Sequence, residues 1–427
     1  MKMMIRDLKE MRSYLLLWFT QLVSGLGSAM TAYALVIWSY TQAGSALRTA
    51  LLMVCSYAPY VICSIFAGAL SDRWDKKKTM LVCDALAALS TLIVLVLLKN
   101  DALRIWHLYI VNAISGLMNT FQQPASEVAT SVLLKREHYQ KVGGLRYLSN
   151  SLNSILTPII TTAIMSLWGM DVVIVIDLIS FLAAFLVLLF FIPIPKTESR
   201  NQQEGILQSA AEGVSWLKRN PGIFHLMLFL AGINLVASMF NATLPAMILS
   251  KASETALGTV NSVTGIAMLL GSILASFLSA PKSRVRTIWY CLLLSMCTEN
   301  FCLAFGNDVW VWCFGATLGW IALPWMSANL EAVNRLNIPM EIQGRVYAAR
   351  NSFQFFTIPV GYFLGGILVD KVFEPVMAIQ NADSLLVGLF GTGKGSGAAF
   401  LFAVLWLMGI AVCLVFRTDQ HIWKLEE

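Results

Sequence analysis

Apolar residues run in long blocks at about 14–40, 49–70, 79–98, 105–127, 147–167, 172–192, 223–249, 259–280, 287–305, 310–330, 351–370 and 398–416. Charges cluster between the blocks. About twenty apolar residues in helical form cross the ~30 Å hydrocarbon layer with every backbone N–H and C=O bonded internally. Barrel strands would give segments of about ten residues alternating in polarity. The pattern predicts an all-α membrane protein of twelve transmembrane helices.

The longest connection, 193–222, divides the blocks six and six. It begins at Pro193 and Pro195, continues through polar residues, and then places Ile206, Ala210, Val214 and Leu217 at helical spacing, with Glu212, Lys218 and Arg219 on other faces. An amphipathic helix lying on a membrane surface is expected there. The expected organisation is a six-helix bundle over 1–192, a linker over 193–222 and a second six-helix bundle over 223–427.

The halves echo one another. Trp106 and Glu127 bracket the fourth span as Trp310 and Glu331 bracket the tenth, and Asn150, Ser151 and Pro158 of the fifth are matched by Asn351, Ser352 and Pro359 of the eleventh. Internal repeats around a central linker are a property of transporters built from paired bundles.

Composition narrows the class further. Of 427 residues, 57% are apolar and 13% charged, with a mean hydropathy of +0.70. Soluble domains carry roughly 25% charged residues, so a water-soluble globule is excluded. All eight cysteines lie in apolar stretches without C-x-x-C spacing, which suits small packing residues and neither a disulfide framework nor a zinc site. The charged N-terminus runs directly into the first span without a small-residue cleavage site, so a retained first span is expected.

The net charge is only +6, but its placement is informative. With the N-terminus inside, 24 of the 30 Lys and Arg fall on the inner side. That bias predicts both termini in the cytoplasm and a multi-pass protein of the cell membrane.

Between the second and third spans the chain reads Gly68-Ala69-Leu70-Ser71-Asp72-Arg73-Trp74-Asp75-Lys76-Lys77-Lys78, with Asp84 just inside the next helix. Gly68 permits close helix approach, and Asp72 is an acid in a basic loop, suited to a helix N-terminus or an Arg. This run resembles the signature loop of the major facilitator superfamily, in its macrolide-efflux-type branch of drug:proton antiporters. Ser24 to Ser28, Pro59, Pro124-Ala125, Glu212-Gly213, Gly344 to Tyr347 and Ile358 to Gly361 are similar to that branch, so the resemblance covers nearly the whole chain. The fifth span departs from it: Thr157-Pro158-Ile159-Ile160 keeps the Pro of a Gly-Pro antiporter motif without its glycines.

The resemblance implies the major facilitator fold, two pseudo-symmetric bundles alternating access to a central cavity. It implies a gating loop of Gly68, Asp72, Arg73, Lys77 and Asp84, latched against Arg345 at the start of the eleventh span. It also implies that the first, fourth, seventh and tenth helices line the cavity, with parts of the fifth and eleventh. In those helices the candidates are Gln21 and Ser28 of the first, and Asn112, Asn119, Gln122 and Gln123 of the fourth. The fifth offers Asn150 and Asn153, the seventh Asn234 and Asn241, the tenth Trp325 and Asn329, and the eleventh Asn351 and Gln354. Such neutral amides among apolar residues suit an amphipathic solute, and equally suit helix–helix hydrogen bonding.

Glu127 and Glu331 stand at matched depth at the inner edge of related spans, open to proton exchange or to pairing with Arg73, Lys77 or Arg345. Asp177 and Glu299 lie deeper, on helices that the resemblance makes peripheral and removed from substrate. Gly388 to Ser396 nearly fits the phosphate-binding G-x-x-x-x-G-K-[ST], but Gly395 stands in the final position and no strand precedes it, so a turn is expected.

Together these features lead to an expected secondary transporter, not an enzyme, exporting amphipathic or neutral organic compounds by alternating access in exchange for protons. Neither cofactor nor metal nor nucleic acid is implied, the partners are the substrate, protons and lipid, and a monomer is expected. An uncoupled facilitator or importer is the alternative, and a non-transporting receptor or lipid-handling protein is a weaker one.

Overall fold

A computed structural model describes the backbone of residues 11–133, 139–194, 206–339, 346 and 353–426, and the side chains of these except 64–73, 131, 139–144, 146–147, 206–211 and 426. The described chain is helical almost throughout. The first six long helices are α1 (Arg12–Ala43), α2 (Ala46–Arg73), α3 (Lys76–Lys99), α4 (Ile105–Leu133), α5 (Tyr139–Trp168) and α6 (Met170–Phe191). A short helix, α7 (Ile206–Arg219), follows in the linker, with Leu217 buried and Glu212, Lys218 and Arg219 exposed. Then come α8 (Pro221–Lys251), α9 (Glu254–Phe277) and α10 (Arg284–Phe305).

The tenth span is divided into α11 (Val309–Ile321) and α12 (Leu323–Asn337), where Pro324 falls in the first turn of the second piece and donates no hydrogen bond to the first. The next span comprises α13 (Thr357–Leu368), a π turn over Val369–Phe373 and α14 (Glu374–Ala378). Short α15 (Leu385–Phe390), long α16 (Ser396–Arg417) and α17 (Gln420–Trp423) end the chain.

Among the described residues, eleven helical stretches are long and apolar enough to cross a membrane. The long helix outside that set is α4, with 29 residues. It falls short in apolarity because Asn112, Asn119, Gln122, Gln123 and Glu127 recur along it at helical spacing. With α4, the twelve predicted spans are present as helices.

The helices pack into two units, one of Met1–Leu35 and Cys55–Gln203, the other of Val36–Val54 and Glu204–Glu427. The end of α1 and the start of α2 therefore group by packing with the C-terminal helices. In the first unit, Leu17, Met80, Ala125, Ala129, Leu188 and Ile192 join α1, α3, α4 and α6 in one buried cluster. Trp18 Nε1 donates to Leu145 O at 3.2 Å and Ser149 Oγ at 2.8 Å, tying α1 to α5.

Outward faces are apolar instead of charged: Ile179, Leu182, Phe190 and Phe191 of α6, and Phe277 of α9, are exposed. That distribution suits a hydrocarbon solvent.

In each unit a close crossing of corresponding spans depends on glycine. A Cβ on Gly116 of α4 would overlap the Ser56 carbonyl of α2, and one on Gly271 of α9 would overlap the Ile321 carbonyl of α11. The same pair of spans crosses in both halves, with the glycine on opposite partners. Small residues at such crossings bring backbones together where burial in lipid supplies no hydrophobic drive.

Candidate functional site

A cavity of about 960 Å³ opens in the first unit, walled by α1, α3, α4 and α6 with single contributions from α2 and α5. The polar face of α4 forms one side: Asn112, Ser115, Asn119, Gln122, Gln123, Ser126, Glu127 and Thr130 all line it. These positions repeat every three or four residues, so one helix face supplies the polar groups while the other packs against its neighbours. Gln21, Ser24, Ser28 and Thr31 of α1 face the same space, with apolar surface from Tyr14, Trp18, Met118, Leu178 and Phe181.

Two further carboxyls reach this wall. Asp84 of α3 accepts a hydrogen bond from Gln122 Nε2 at 2.5 Å, and Gln21 is a second side-chain partner. Asp177 of α6 accepts one from Ser28 Oγ at 3.0 Å and is 4% exposed. Asp84, assigned to the gating loop on sequence grounds, is thus a cavity residue. Asp177 also belongs to the wall, although its helix is one that the sequence reading placed away from substrate. The residue beside it accounts for this: a Cβ on Gly27 of α1 would lie 2.9 Å from Asp177 Cα, so the glycine lets α6 press in until its carboxyl reaches Ser28. Gly27 was the signal in the sequence.

Other candidates divide between wall and scaffold. Asn112 lines the cavity while donating to Leu108 O of its own helix at 2.9 Å. Asn153 of α5 is near Gly25, and its Oδ1 is buried without a partner, whereas Asn150 is exposed. In the second unit Asn234 Nδ2 donates to Gln354 O at 3.3 Å, joining α8 to the start of the eleventh span. Asn241 and Asn329 donate back to Ala237 O and Trp325 O of their own helices, both at 2.9 Å. Glu331 pairs with Arg335 at 2.8 Å one turn along α12 at the surface, so its surroundings differ from those of Glu127 in the cavity wall.

Lys77 donates to Leu189 O at 3.0 Å and Ile192 O at 2.8 Å, holding the start of α3 against the end of α6. The acid that caps α3 is Asp75, which accepts from Lys78 N at 3.0 Å. Arg345 and Asn351, and the side chains of Gly68, Asp72 and Arg73, lie outside the described residues, as does the latch expected of Asp72.

The second unit contains a comparable contact that was not anticipated. Asp370, in the π turn after α13, accepts from Ser45 Oγ at 2.5 Å and from Ala46 N and Leu47 N at 3.0 Å each. One carboxylate therefore satisfies two of the free N–H groups that open α2, and Ser45 Oγ accepts a third from Arg48 N at 3.1 Å. A Cβ on Gly366, one turn earlier, would lie 2.6 Å from Leu47 Cα. Nearby, Tyr40 OH contacts Ala246 O at 3.0 Å and Ser250 Oγ at 2.6 Å. In the glycine-rich run, Gly391, Gly393 and Gly395 take positive φ, and Glu374 Oε1 accepts from Gly395 N at 2.9 Å and Ala398 N at 3.3 Å. An internal carboxylate fills the place that a phosphate would take in a nucleotide-binding loop.

A profile of the Major Facilitator Superfamily matches residues 17–250. Macrolide efflux protein A of Streptococcus pyogenes is 25% identical over 365 residues, covering 83% of this chain and 89% of that protein. Multidrug efflux pump Tap of Mycolicibacterium fortuitum is 22% identical over 377 residues, covering 83% and 89%. Among solved structures, a mutant of the nucleoside transporter NupG superposes with a TM-score of 0.70 at 15% identity over 95% of this chain and 100% of that one. A bacterial homologue of the iron transporter ferroportin, in an inward-facing state, gives 0.67 at 14% identity over 98% and 99%. At those identities the superpositions speak for the fold, and with the profile match and the twelve helices they lead to one conclusion: this chain is a member of the major facilitator superfamily.

Proposed function

We propose that this protein is a secondary efflux transporter of the cell membrane, with both termini in the cytoplasm, exporting amphipathic organic compounds by alternating access in exchange for protons. The observation that carries the reading is the cavity of about 960 Å³ in the first unit, lined by amides, hydroxyls, aromatics and carboxyls. Drug-sized ligands occupy pockets of about 300–1,000 Å³ that combine apolar walls with a few polar groups. Relatives named for macrolide and multidrug efflux support the direction of transport.

Proton exchange needs a carboxyl that meets both substrate space and water. Asp84, Glu127 and Asp177 all line the cavity, which supports coupling over the facilitator alternative. Glu331, in its surface pair with Arg335, is better suited to holding its helix in place.

The direct test is efflux from cells loaded with a fluorescent amphiphile and re-energised with a carbon source. Cells expressing the protein should empty faster than cells carrying an inactive form. Equal rates across a panel of amphiphiles would contradict export.

A further inference from the structure

We propose that α10 and α16 hold one anionic phospholipid, with its headgroup phosphate at Arg286 and Arg417 and an acyl chain along the exposed face of the two helices. The inference rests on the export reading only for the leaflet that supplies the lipid, the inner one if both termini are cytoplasmic.

The two helices run antiparallel and touch at two levels. Where α10 begins and α16 ends, Trp289 Nε1 donates to Cys413 O at 2.6 Å, and the Arg417 guanidinium lies over the Trp289 ring, 5.1 Å from its centre. Arg286 stands one turn earlier on α10 and is exposed. At the other level the rings of Phe301 and Trp406 meet at 5.4 Å. From Trp289 to Phe301 the helix rises roughly 18 Å at 1.5 Å per residue. That is comparable to one leaflet's share of the ~30 Å hydrocarbon layer. Between the levels the outward side is apolar. Tyr290 and Leu294 follow Arg286 at intervals of one helical turn on α10, and Leu407 and Leu414 are exposed on α16.

The charge at the end of this face has no internal answer. Among the described residues, Arg286 and Arg417 pair with no carboxylate. The acid nearest to Arg417 in sequence, Asp419, is engaged elsewhere: it meets His225 Nδ1 at 2.6 Å and accepts from His421 N at 2.9 Å. Arg417 is fixed by packing instead, through its contact with the Trp289 ring and through its backbone carbonyl, which accepts from Trp423 Nε1 at 2.8 Å.

A guanidinium held in this way presents planar N–H donors that match phosphate oxygens. Two of them at the end of an apolar track suit a phosphate that carries acyl chains. A zwitterionic headgroup brings an ammonium with its phosphate, which the second guanidinium repels, so a net negative head is preferred. Cations that only set topology act through their number and side. They require neither a packed position nor an apolar face leading away from them.

The test is lipid binding to the purified full chain in neutral detergent, read by native mass spectrometry with phosphatidylglycerol and phosphatidylcholine of identical acyl chains. The native chain should favour the glycerol lipid by about tenfold. Arg286→Gln with Arg417→Gln should bring that preference below about twofold, with phosphatidylcholine binding unchanged as the sign of a folded apolar face. Arg286→Gln alone leaves the Trp289 contact intact and should lower the preference by about threefold, so the test holds even if the double variant fails to fold. Lys218→Gln with Arg219→Gln removes the same charge from α7 and should change nothing. No preference in the native chain, its survival in the Arg286 variants, or an equal loss in the α7 variant would overturn the proposal. Displacement of the lipid by millimolar inorganic phosphate would also overturn it, by identifying a phosphate site instead of a lipid site. Binding in detergent is blind to leaflet, which keeps the two readings apart. A charge preference that holds while cysteine labelling places the C-terminus outside leaves the site and removes the orientation, whereas no preference with the C-terminus inside does the reverse.

Discussion

At the scale of single residues, the buried acids divide by what surrounds them. Glu299 of α10 is 4% exposed, receives Trp320 Nε1 at 2.6 Å on one carboxyl oxygen, and has no partner for the other. It lies outside the cavity wall, packed under Gly315 and Gly319. Removing its one donor by Trp320→Phe leaves the whole carboxyl unsatisfied, which costs about 1–3 kcal/mol. The double change Glu299→Met with Trp320→Phe removes donor and acceptor together and should recover most of that loss. Thermal unfolding of the purified variants checks this. A double variant no more stable than Trp320→Phe would show that packing, and not the polar pair, sets the cost.

Residue identity made some roles legible in advance and hid others. The amide positions of α4 were readable because their helical spacing must place them on one face, and that face lines the cavity. Which way Asp84 and Asp177 point was not readable, because depth along a helix says nothing about side-chain direction. Their orientation depends on neighbours: Gln122 draws in Asp84, and Gly27 admits α6 to α1. Asn241 and Asn329 each donate to their own helix, as Asn112 of the cavity wall also does. In sequence a lone Asn carries no mark of whether it also meets a cavity.

At the scale of elements, α2 opens on a carboxyl that the sequence did not announce. The expected gating loop put Asp72 after this helix, while the described contacts place Asp370 on its first turn. Side-chain oxygens cap helix N-termini because the opening N–H groups have no helical partners. Here the cap comes from a span more than 300 residues away, so it also fastens Val36–Val54 to the rest of the second unit. No local pattern announces such a contact, whereas the helix start at Ala46 itself follows from Gly44 and Ser45.

Losing the carboxylate by Asp370→Ala should weaken this fastening by about 1–2 kcal/mol, or roughly 5–30-fold in any equilibrium that opens it. Ala50 is buried beside Gly366. With the native cysteines replaced, a cysteine at that position should react faster with a maleimide added to the purified protein once Asp370 is changed. An unchanged labelling rate would mean that Gly366 and Tyr40 hold the region without it.

At the scale of the molecule, the twelve-helix arrangement was legible because bilayer thickness dictates span length, and charge at the span ends marks the connections. The division into units was less so. Chain order suggests halves meeting in the linker, yet packing groups the turn between α1 and α2 with the C-terminal helices. Hydropathy alone also underrates α4, since a helix that walls a polar cavity must surrender apolar positions to it.

On the proposed export reading, the cavity carboxyls are where a proton would be exchanged. The measurement that tests this most directly is accumulation of an amphiphilic drug panel in everted membrane vesicles, with the pH gradient intact and then collapsed. The account predicts accumulation that depends on the protein and falls to the background level when the gradient is removed. Accumulation that persists undiminished after collapse would contradict proton-coupled export.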